Sequence, residues 1–317
     1  MDDSQHWNAS VTQILERACL APSSHNTQPW RFRVFEPVIE LLADDSRALP
    51  VNDPHNRELT ISCGCVLETL VLAANEADMT AQIQPLPDPD RPQLLATVTL
   101  SRSGRHLRSL NPLSRCIGRR HTHRGRFTEA AVDPCLFPRL HQAIQGTGVS
   151  LTSLNNLGRR ALVAALVAEG DRQLWANVDW RRELAAWMRP ATEGDGLVVP
   201  SPWGRGIGWA VRRFNLGRLL ALSSRQQAQS APLLLALSTD ADTPRLWLDA
   251  GRALQRLLLA ANHHGYQASF LNQAVQVPEL RDELSGLLEG SRPQIVLSLG
   301  VPASELAPSP RRPLSVG

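Results

Sequence analysis

A stretch of twenty residues occurs twice in this chain. Gly64 to Ile83 aligns without gaps to Gly251 to Phe270, and Gly64, Leu67, Leu70, Leu72, Ala73, Ala74, Asn75 and Ala81 recur 187 residues later as Gly251, Leu254, Leu257, Leu259, Ala260, Ala261, Asn262 and Ala268. The helix from Glu58 to Ala77 that carries the first copy is apolar nearly all round, the pattern of burial on every side. Two unrelated Leu/Ala-rich core helices can share such residues. Here, however, each copy is also followed by an apolar strand, Leu94 to Leu100 in the first and Ile295 to Gly300 in the second, and the repeated order favours duplication. The expectation is two related α+β halves, residues 1–110 and 111–317, divided after the loop from Ser101 to Arg108.

Within the first half, Val11, Ile14, Leu15 and Ala18 predict a helix from Val11 to Leu20, with Ser10 and Gln13 as a capping box and Pro22 as its stop. Trp30 to Phe35 alternates as a strand with one apolar face, a second strand follows over Val38 to Leu42, and Glu58 to Ala77 is the first copy of the buried helix. In the second half, helices are expected near Pro134 to Gln145, Leu157 to Trp175 and Asp179 to Met188, with strands at Val149 to Leu154 and Leu233 to Ser238. From Arg189 to Gln229 the chain turns rich in Gly, Pro and Trp and has no counterpart in the first half, so it is expected to cover or bridge something. Its run Trp203-Gly204-Arg205-Gly206-Ile207-Gly208 is a poor dinucleotide signal, because no strand precedes it.

Composition removes whole classes of chemistry. All 33 basic residues are Arg, which excludes mechanisms built on a Schiff-base, general-base or P-loop lysine. The net charge is only +3 and the signs are mixed, so nucleic acid is not an expected partner. The first residues, Met-Asp-Asp-Ser-Gln-His-Trp, lack the apolar segment of a secretory signal, and apolar runs such as Ala161 to Ala168 are short. No membrane association and a cytoplasmic location are therefore expected. Five cysteines without a Cys-x-x-Cys predict reduced thiols, and Cys63-Gly64-Cys65 reads either as metal ligands or as buried thiols at a helix start.

Three segments suit an anionic ligand. Arg119-Arg120-His121-Thr122-His123-Arg124-Gly125-Arg126 packs four guanidinium groups, a hydroxyl and two imidazoles into eight residues, and Arg forks match phosphate geometry. A solvated basic loop would look the same, and His121 with His123 lacks an acid or Cys to complete a metal site. Ala21 to Trp30, Ala-Pro-Ser-Ser-His-Asn-Thr-Gln-Pro-Trp, lies between a helix and a strand, where amides and short polar side chains can meet a ligand edge or merely satisfy their own turn. Pro310-Arg311-Arg312-Pro313 is either a third anion contact or a tail.

The string Ala-Pro-Ser-Ser-His-Asn-Thr-Gln-Pro-Trp-Arg-Phe at 21 to 32 resembles the signature of the FMN-dependent nitroreductase family. That resemblance implies an α+β nitroreductase-like fold, with the Arg119 to Arg124 segment holding the FMN phosphate and the helix Ala250 to His264, with Gly265 to Asn272, running along the isoalloxazine. In ordinary members the Arg segment precedes the Pro-Ser-Ser segment within each subunit of a homodimer. Here the two motifs are divided between the halves, which is similar to the Acg-like branch, in which two nitroreductase folds are fused into an intrachain pseudo-dimer with a lid insertion, here about 189–229. One non-covalent FMN per chain is then implied, bound by Pro22, Ser23, Ser24 and Asn26 from one half and Arg119, Arg120, Thr122 and Arg124 from the other, closed by Arg311 and Arg312, with Ser269, Leu271 and Asn272 near the redox edge. No residue is obligatory as a catalytic acid or base. His25 is open between substrate contact and packing, and Trp203 and Trp209 between stacking on flavin and anchoring the lid. The implied activity is NAD(P)H-dependent reduction of nitro or quinone compounds by ping-pong hydride transfer in a monomer acting as a pseudo-dimer. The alternative is a protein that sequesters FMN under a closed lid with little turnover.

Overall fold

The computed structural model describes residues 3–102, 111–199, 204–305 and 307–316. In chain order the first half contributes α1 (Asp3–Ala18), β1 (Trp30–Phe35), β2 (Val38–Ala43), α2 (Arg57–Glu76), β3 (Met79–Pro85) and β4 (Leu94–Arg102). The second contributes α3 (Leu136–Ala143), β5 (Ser150–Ser153), α4 (Leu157–Ala176), α5 (Val178–Ala186), β6 (Met188–Arg189), β7 (Leu197–Val198), α6 (Gly204–Arg213) and α7 (Gly217–Gln229). It continues with β8 (Leu233–Thr239), α8 (Pro244–His263), β9 (Gln267–Phe270), α9 (Gln273–Gln276), α10 (Pro278–Leu287) and β10 (Arg292–Gly300).

The two main sheets share one topology. The first is ordered β1-β2-β4-β3 and the second β5-β8-β10-β9, every pair antiparallel, with α2 and α8 at the same place in each run. The repeated sequence is therefore the helix of a repeated unit. Strand β3 is not among the expected elements, although its Met79, Ala81 and Ile83 alternate with Thr80, Gln82 and Gln84 and turn toward the core at the sheet edge.

The duplicated helices α2 and α8 pack against each other at the centre of the main core. Their crossing is close at the repeated glycines, since a Cβ on Gly64 would lie 2.2 Å from the Leu248 carbonyl oxygen and one on Gly251 2.0 Å from that of Ile61. No side chain fits there, which is why the repeat keeps Gly at both positions. By length and composition α2 meets the test for a membrane-crossing helix, contrary to the expectation from short apolar runs, but it is a buried core helix, flanked by α1 and α8.

Two segments differ from expectation. Helix α1 begins before Ser10, because buried Trp7 extends the apolar stripe of Val11, Ile14 and Ala18 by a turn, so Ser10 and Gln13 do not cap it. The segment after Arg189 holds helices α6 and α7 besides the short β6–β7 pair, and the glycines of 204–208 lie inside α6 instead of at a strand-to-helix turn. Trp203 and most of the loop from Ser101 to Arg108 lie outside the described residues.

Cys63 and Cys65 lie within α2, their thiols donating to the Pro29 (3.3 Å) and Gly251 (3.2 Å) carbonyls, and burial raises Cys63 strongly and pushes Cys65 up to about 12. Such thiols stay protonated. Among the described residues no group of three or more His, Cys, Asp and Glu could hold a metal ion.

Candidate functional site

A cavity of about 360 Å³ lies where the halves meet. Its first wall is the loop Pro22 to His25, and its floor is α2, through Glu58, Ile61, Ser62 and Cys65. The second half supplies Thr122 and Arg124, then Ser269, Phe270 and Asn272 at the end of β9, with Leu254 of α8 and Ile295 of β10 adding apolar surface. Asp171, Trp180, Leu197, Gln273 and Gln276 complete the lining.

The wall loop has an unusual backbone. His25, Asn26 and Gln28 all take left-handed φ values, 48°, 55° and 52°, which side-chain-bearing residues adopt only when their surroundings hold them. Those surroundings are explicit. Ser23 Oγ accepts from the Gln28 amide at 3.0 Å, Asn26 Nδ2 donates to the Pro310 and Gly196 carbonyls, and Gln28 Nε2 donates to the Gly194 carbonyl at 2.9 Å. Arg311 donates to Asn26 Oδ1 and to the carbonyls of Cys19, Leu20 and Ala21, which are the free acceptors just past the C-terminus of α1. Arg312 donates to the Gln28 and Trp30 carbonyls. The tail is thus ordered, and with residues 194–196 it clamps the back of the loop. Asp195, buried and paired with both Arg47 and Arg189, fixes the other side of that clamp.

Glu58 is the charged centre of the floor. Ser24 Oγ donates to its Oε2 at 2.7 Å, Gln276 Nε2 and Arg57 Nη2 donate to Oε1 at 3.0 and 3.3 Å, and only 3% of the residue is exposed. Asp53 lies close by and accepts from the Leu59 amide; burial and the Glu58 charge push its carboxyl up to about 6. Burial holds the His25 imidazole below its ordinary value, and Arg124 adds to this while Glu58 opposes it. Its Nδ1 is buried without a partner, as are Asp171 Oδ2 and Gln273 Oε1, so three residues of the lining carry unsatisfied polar atoms.

Of the residues singled out in the sequence, Pro22, Ser23, Ser24, Thr122, Arg124, Ser269 and Asn272 line the cavity together. The others stand behind it. Arg120 is buried, donates from Nη2 to the Leu20 carbonyl at 3.1 Å and leaves Nε unpartnered. Arg119 is exposed, and its Nη2 donates to Cys116 Sγ at 3.5 Å. Leu271 is fully buried in the second core cluster, while Asn26, Arg311 and Arg312 form the clamp. His121 and His123 do not form a metal pair, since His123 stacks on Phe127 and its Nε2 donates to the Arg126 carbonyl. Trp209 is exposed and lies outside the lining. Sequence reading missed Glu58 and Asp171, whose signal was a lone acid on an otherwise apolar helix face.

No family model matches the chain. Over 94% of its length it is 30% identical to the uncharacterised protein Rv3127 of Mycobacterium tuberculosis, and the match covers 89% of that protein. The chain belongs to the Acg-like branch of the nitroreductase family. Two further proteins of M. tuberculosis, each named "Putative NAD(P)H nitroreductase", are Rv3131, 29% identical over 96% of this chain and 90% of that protein, and acg, 26% identical over 99% and 96%. Among solved structures, the FMN and NADPH-dependent nitroreductase NfnB of a Sphigopyxis strain aligns over 63% of this chain and 95% of its own, at 22% identity and a TM-score of 0.42. In this Acg-like chain Pro22, Ser23 and Ser24 reach the same cavity as Thr122 and Arg124, about a hundred residues away in sequence.

Proposed function

We propose that the chain binds one non-covalent FMN in this cavity and is an NAD(P)H-dependent reductase of nitro or quinone compounds, built as a pseudo-dimer of halves 1–110 and 111–317. The observation that carries this reading is the convergence of Ser23 and Ser24 from one half with Thr122, Arg124, Ser269 and Asn272 from the other on one cavity. Its volume lies in the usual range of cofactor sites, about 300–1,000 Å³.

The residues present fit the group. Arg120 is buried and Arg311 half-buried near it, and among the described residues neither has a carboxylate in ion-pair range; desolvation first, and for Arg120 the Arg311 charge as well, brings both down to about 10. Two such guanidinium groups behind Thr122 and Arg124 favour an anion such as a phosphate. Ile61, Leu254, Phe270 and Ile295 offer apolar surface to a flat ring, and Ser23, Ser24, Ser269 and Asn272 offer donors and acceptors to its polar edges. Bound FMN would supply hydride transfer from NAD(P)H to the acceptor in two half-reactions. The chain's own part is binding and orientation. Glu58 fixes the Ser24 hydroxyl, Arg124 and Thr122 present a cation and a hydroxyl, and the clamp behind Asn26 keeps the strained loop in register.

One observation favours the second reading, FMN retention with little turnover: residues 194–196, within the 189–229 segment proposed as a lid, are tied to the wall loop through Asn26, Gln28 and the Arg47–Asp195 pair. The visible spectrum of the purified chain before and after anaerobic NADPH separates the two. A yellow protein that bleaches rapidly supports the reductase, and one that stays yellow supports retention. A colourless protein that FMN does not reconstitute overturns both.

A further inference from the structure

Helices α6 and α7 and the turn between them carry an exposed apolar surface that neither the cavity nor the core accounts for. Trp209, Phe214, Leu219 and Leu222 are 61%, 51%, 67% and 69% exposed, with Leu216 beside them at 37%. Trp209 and Phe214 meet edge to face at 5.7 Å between ring centroids, and Leu219 and Leu222 share one face of α7 at a spacing of three residues. Scattered apolar residues are ordinary on a protein surface, but five large ones within fourteen positions form a patch that calls for a partner.

The charge around the patch says which partner. From Gly196 to Thr239 the chain contains no Asp or Glu, while Arg205, Arg212, Arg213, Arg218 and Arg225 fall in this stretch. Arg212, Arg213, Arg218 and Arg225 are all exposed, and among the described residues none of the four has a carboxylate partner. A second acid-free, Arg-rich stretch runs from Arg91 to Thr128, but among the described residues it carries no exposed large apolar side chain, so only the α6–α7 stretch joins one-sided charge to an apolar patch. A second copy of the chain is a poor occupant, because a two-fold contact through this face would set Arg against Arg with no acid to relieve it. Duplex nucleic acid would satisfy the Arg side chains but leave the leucines and Phe214 without apolar contact. A basic amphipathic surface with Trp, Phe and Leu at its centre matches the boundary of an anionic bilayer, where apolar side chains enter the headgroup region and guanidinium groups meet lipid phosphates.

We propose that the α6–α7 face is a peripheral docking surface for anionic lipid membranes. This reverses, for the surface, the expectation of no membrane association, which rested on the length of apolar runs, whereas docking requires only one helical face. The inner side of α7 bonds the cavity lining, Gln227 Nε2 donating to Ser269 Oγ at 2.8 Å. A docked chain therefore holds its cavity one helix away from the bilayer.

Co-sedimentation of the full chain with vesicles tests this without reference to flavin. The chain should pellet with vesicles of phosphatidylcholine and phosphatidylglycerol in equal parts and remain in the supernatant with phosphatidylcholine alone. Leu219→Ser with Leu222→Ser, and separately Arg212→Ser with Arg213→Ser, should each weaken pelleting roughly tenfold or more, with far-UV circular dichroism unchanged because all four side chains are exposed. Failure to pellet with the anionic vesicles at low salt overturns the proposal. So does pelleting that the leucine pair leaves unchanged, which would be surface electrostatics alone, and so does a dimer on sizing that the leucine pair converts to monomer, which would assign the face to a second copy.

Discussion

Gly64 and Gly251 face each other where α2 crosses α8, so close that a methyl group on either would lie 2.8 Å from the other's Cα. Their next neighbours obey the same exchange, since the Leu248 carbonyl blocks Gly64 and the Ile61 carbonyl blocks Gly251, and these residues are again 187 positions apart. The contacts at the crossing are thus reciprocal between the two copies of the repeated helix.

Gly64→Ala and Gly251→Ala should each lower stability by about 3 kcal/mol, because backbone blocks the added methyl and the helices must separate. The double variant should cost clearly less than the two single costs combined, since one separation accommodates both methyls. Chemical denaturation of the four proteins measures the coupling, and simple additivity would contradict a shared crossing point.

Asp53 should leave a mark on the pH dependence of stability. Its carboxyl rises from 3.8 unfolded to about 6 folded, so the folded chain binds the proton more tightly. This contribution is fully present below pH 4 and is lost as pH rises through 6, a change of roughly 3 kcal/mol by linkage. The lowered His25 works in the opposite direction, losing stability as pH falls below its ordinary value of 6.5, so the informative quantity is the difference between wild type and Asp53→Asn. That difference should shift in favour of the variant between pH 4 and pH 6.5, and a flat difference would refute the raised carboxyl.

Arg311→Ala removes donors to three carbonyls beyond α1 and to Asn26. A loss of about 2 kcal/mol is expected, with the relief of Arg120 offsetting part of it. Hydrogen exchange should quicken at the amides of Asn26, Thr27 and Gln28 before it does in α2. Unchanged exchange there would mean that the loop holds its left-handed backbone unaided.

Arg124→Ala separates binding from folding. The side chain is exposed and lines the cavity, so apo stability should stay within about 0.5 kcal/mol of wild type. If Arg124 meets the phosphate, FMN affinity measured by flavin fluorescence should fall roughly 10- to 100-fold, the worth of one charge-assisted contact. Full affinity would move the anchor to Arg120 and Arg311.

Local pattern was enough for much of the fold. The alternation of Trp30 to Phe35 marked a strand at the bounds the structure has, and apolar periodicity marked α2 and α4 within a residue or so, while the helix expected from Ala250 begins six residues earlier, at Pro244. Strand β3 was legible too, in the alternation of Met79, Ala81 and Ile83 with Thr80, Gln82 and Gln84, but its residues enter the expected elements only as the tail of the repeated segment. Within the candidate site, the motif residues Ser23, Ser24, Thr122 and Arg124 were legible because their types and spacing are local properties.

Local pattern in the chain thus set the repeated helix segment and most of the helices and strands. Tertiary structure decided what no local pattern contains: that Arg311 spends its guanidinium on the end of α1, that Asn26 braces a loop, that Glu58 becomes a buried hub, and that Leu219 and Leu222 face solvent beside unpaired Arg. The physical reason is that donors, acceptors and apolar faces are written residue by residue, whereas their satisfaction depends on partners as far as 292 positions away, as for Arg311 on Cys19.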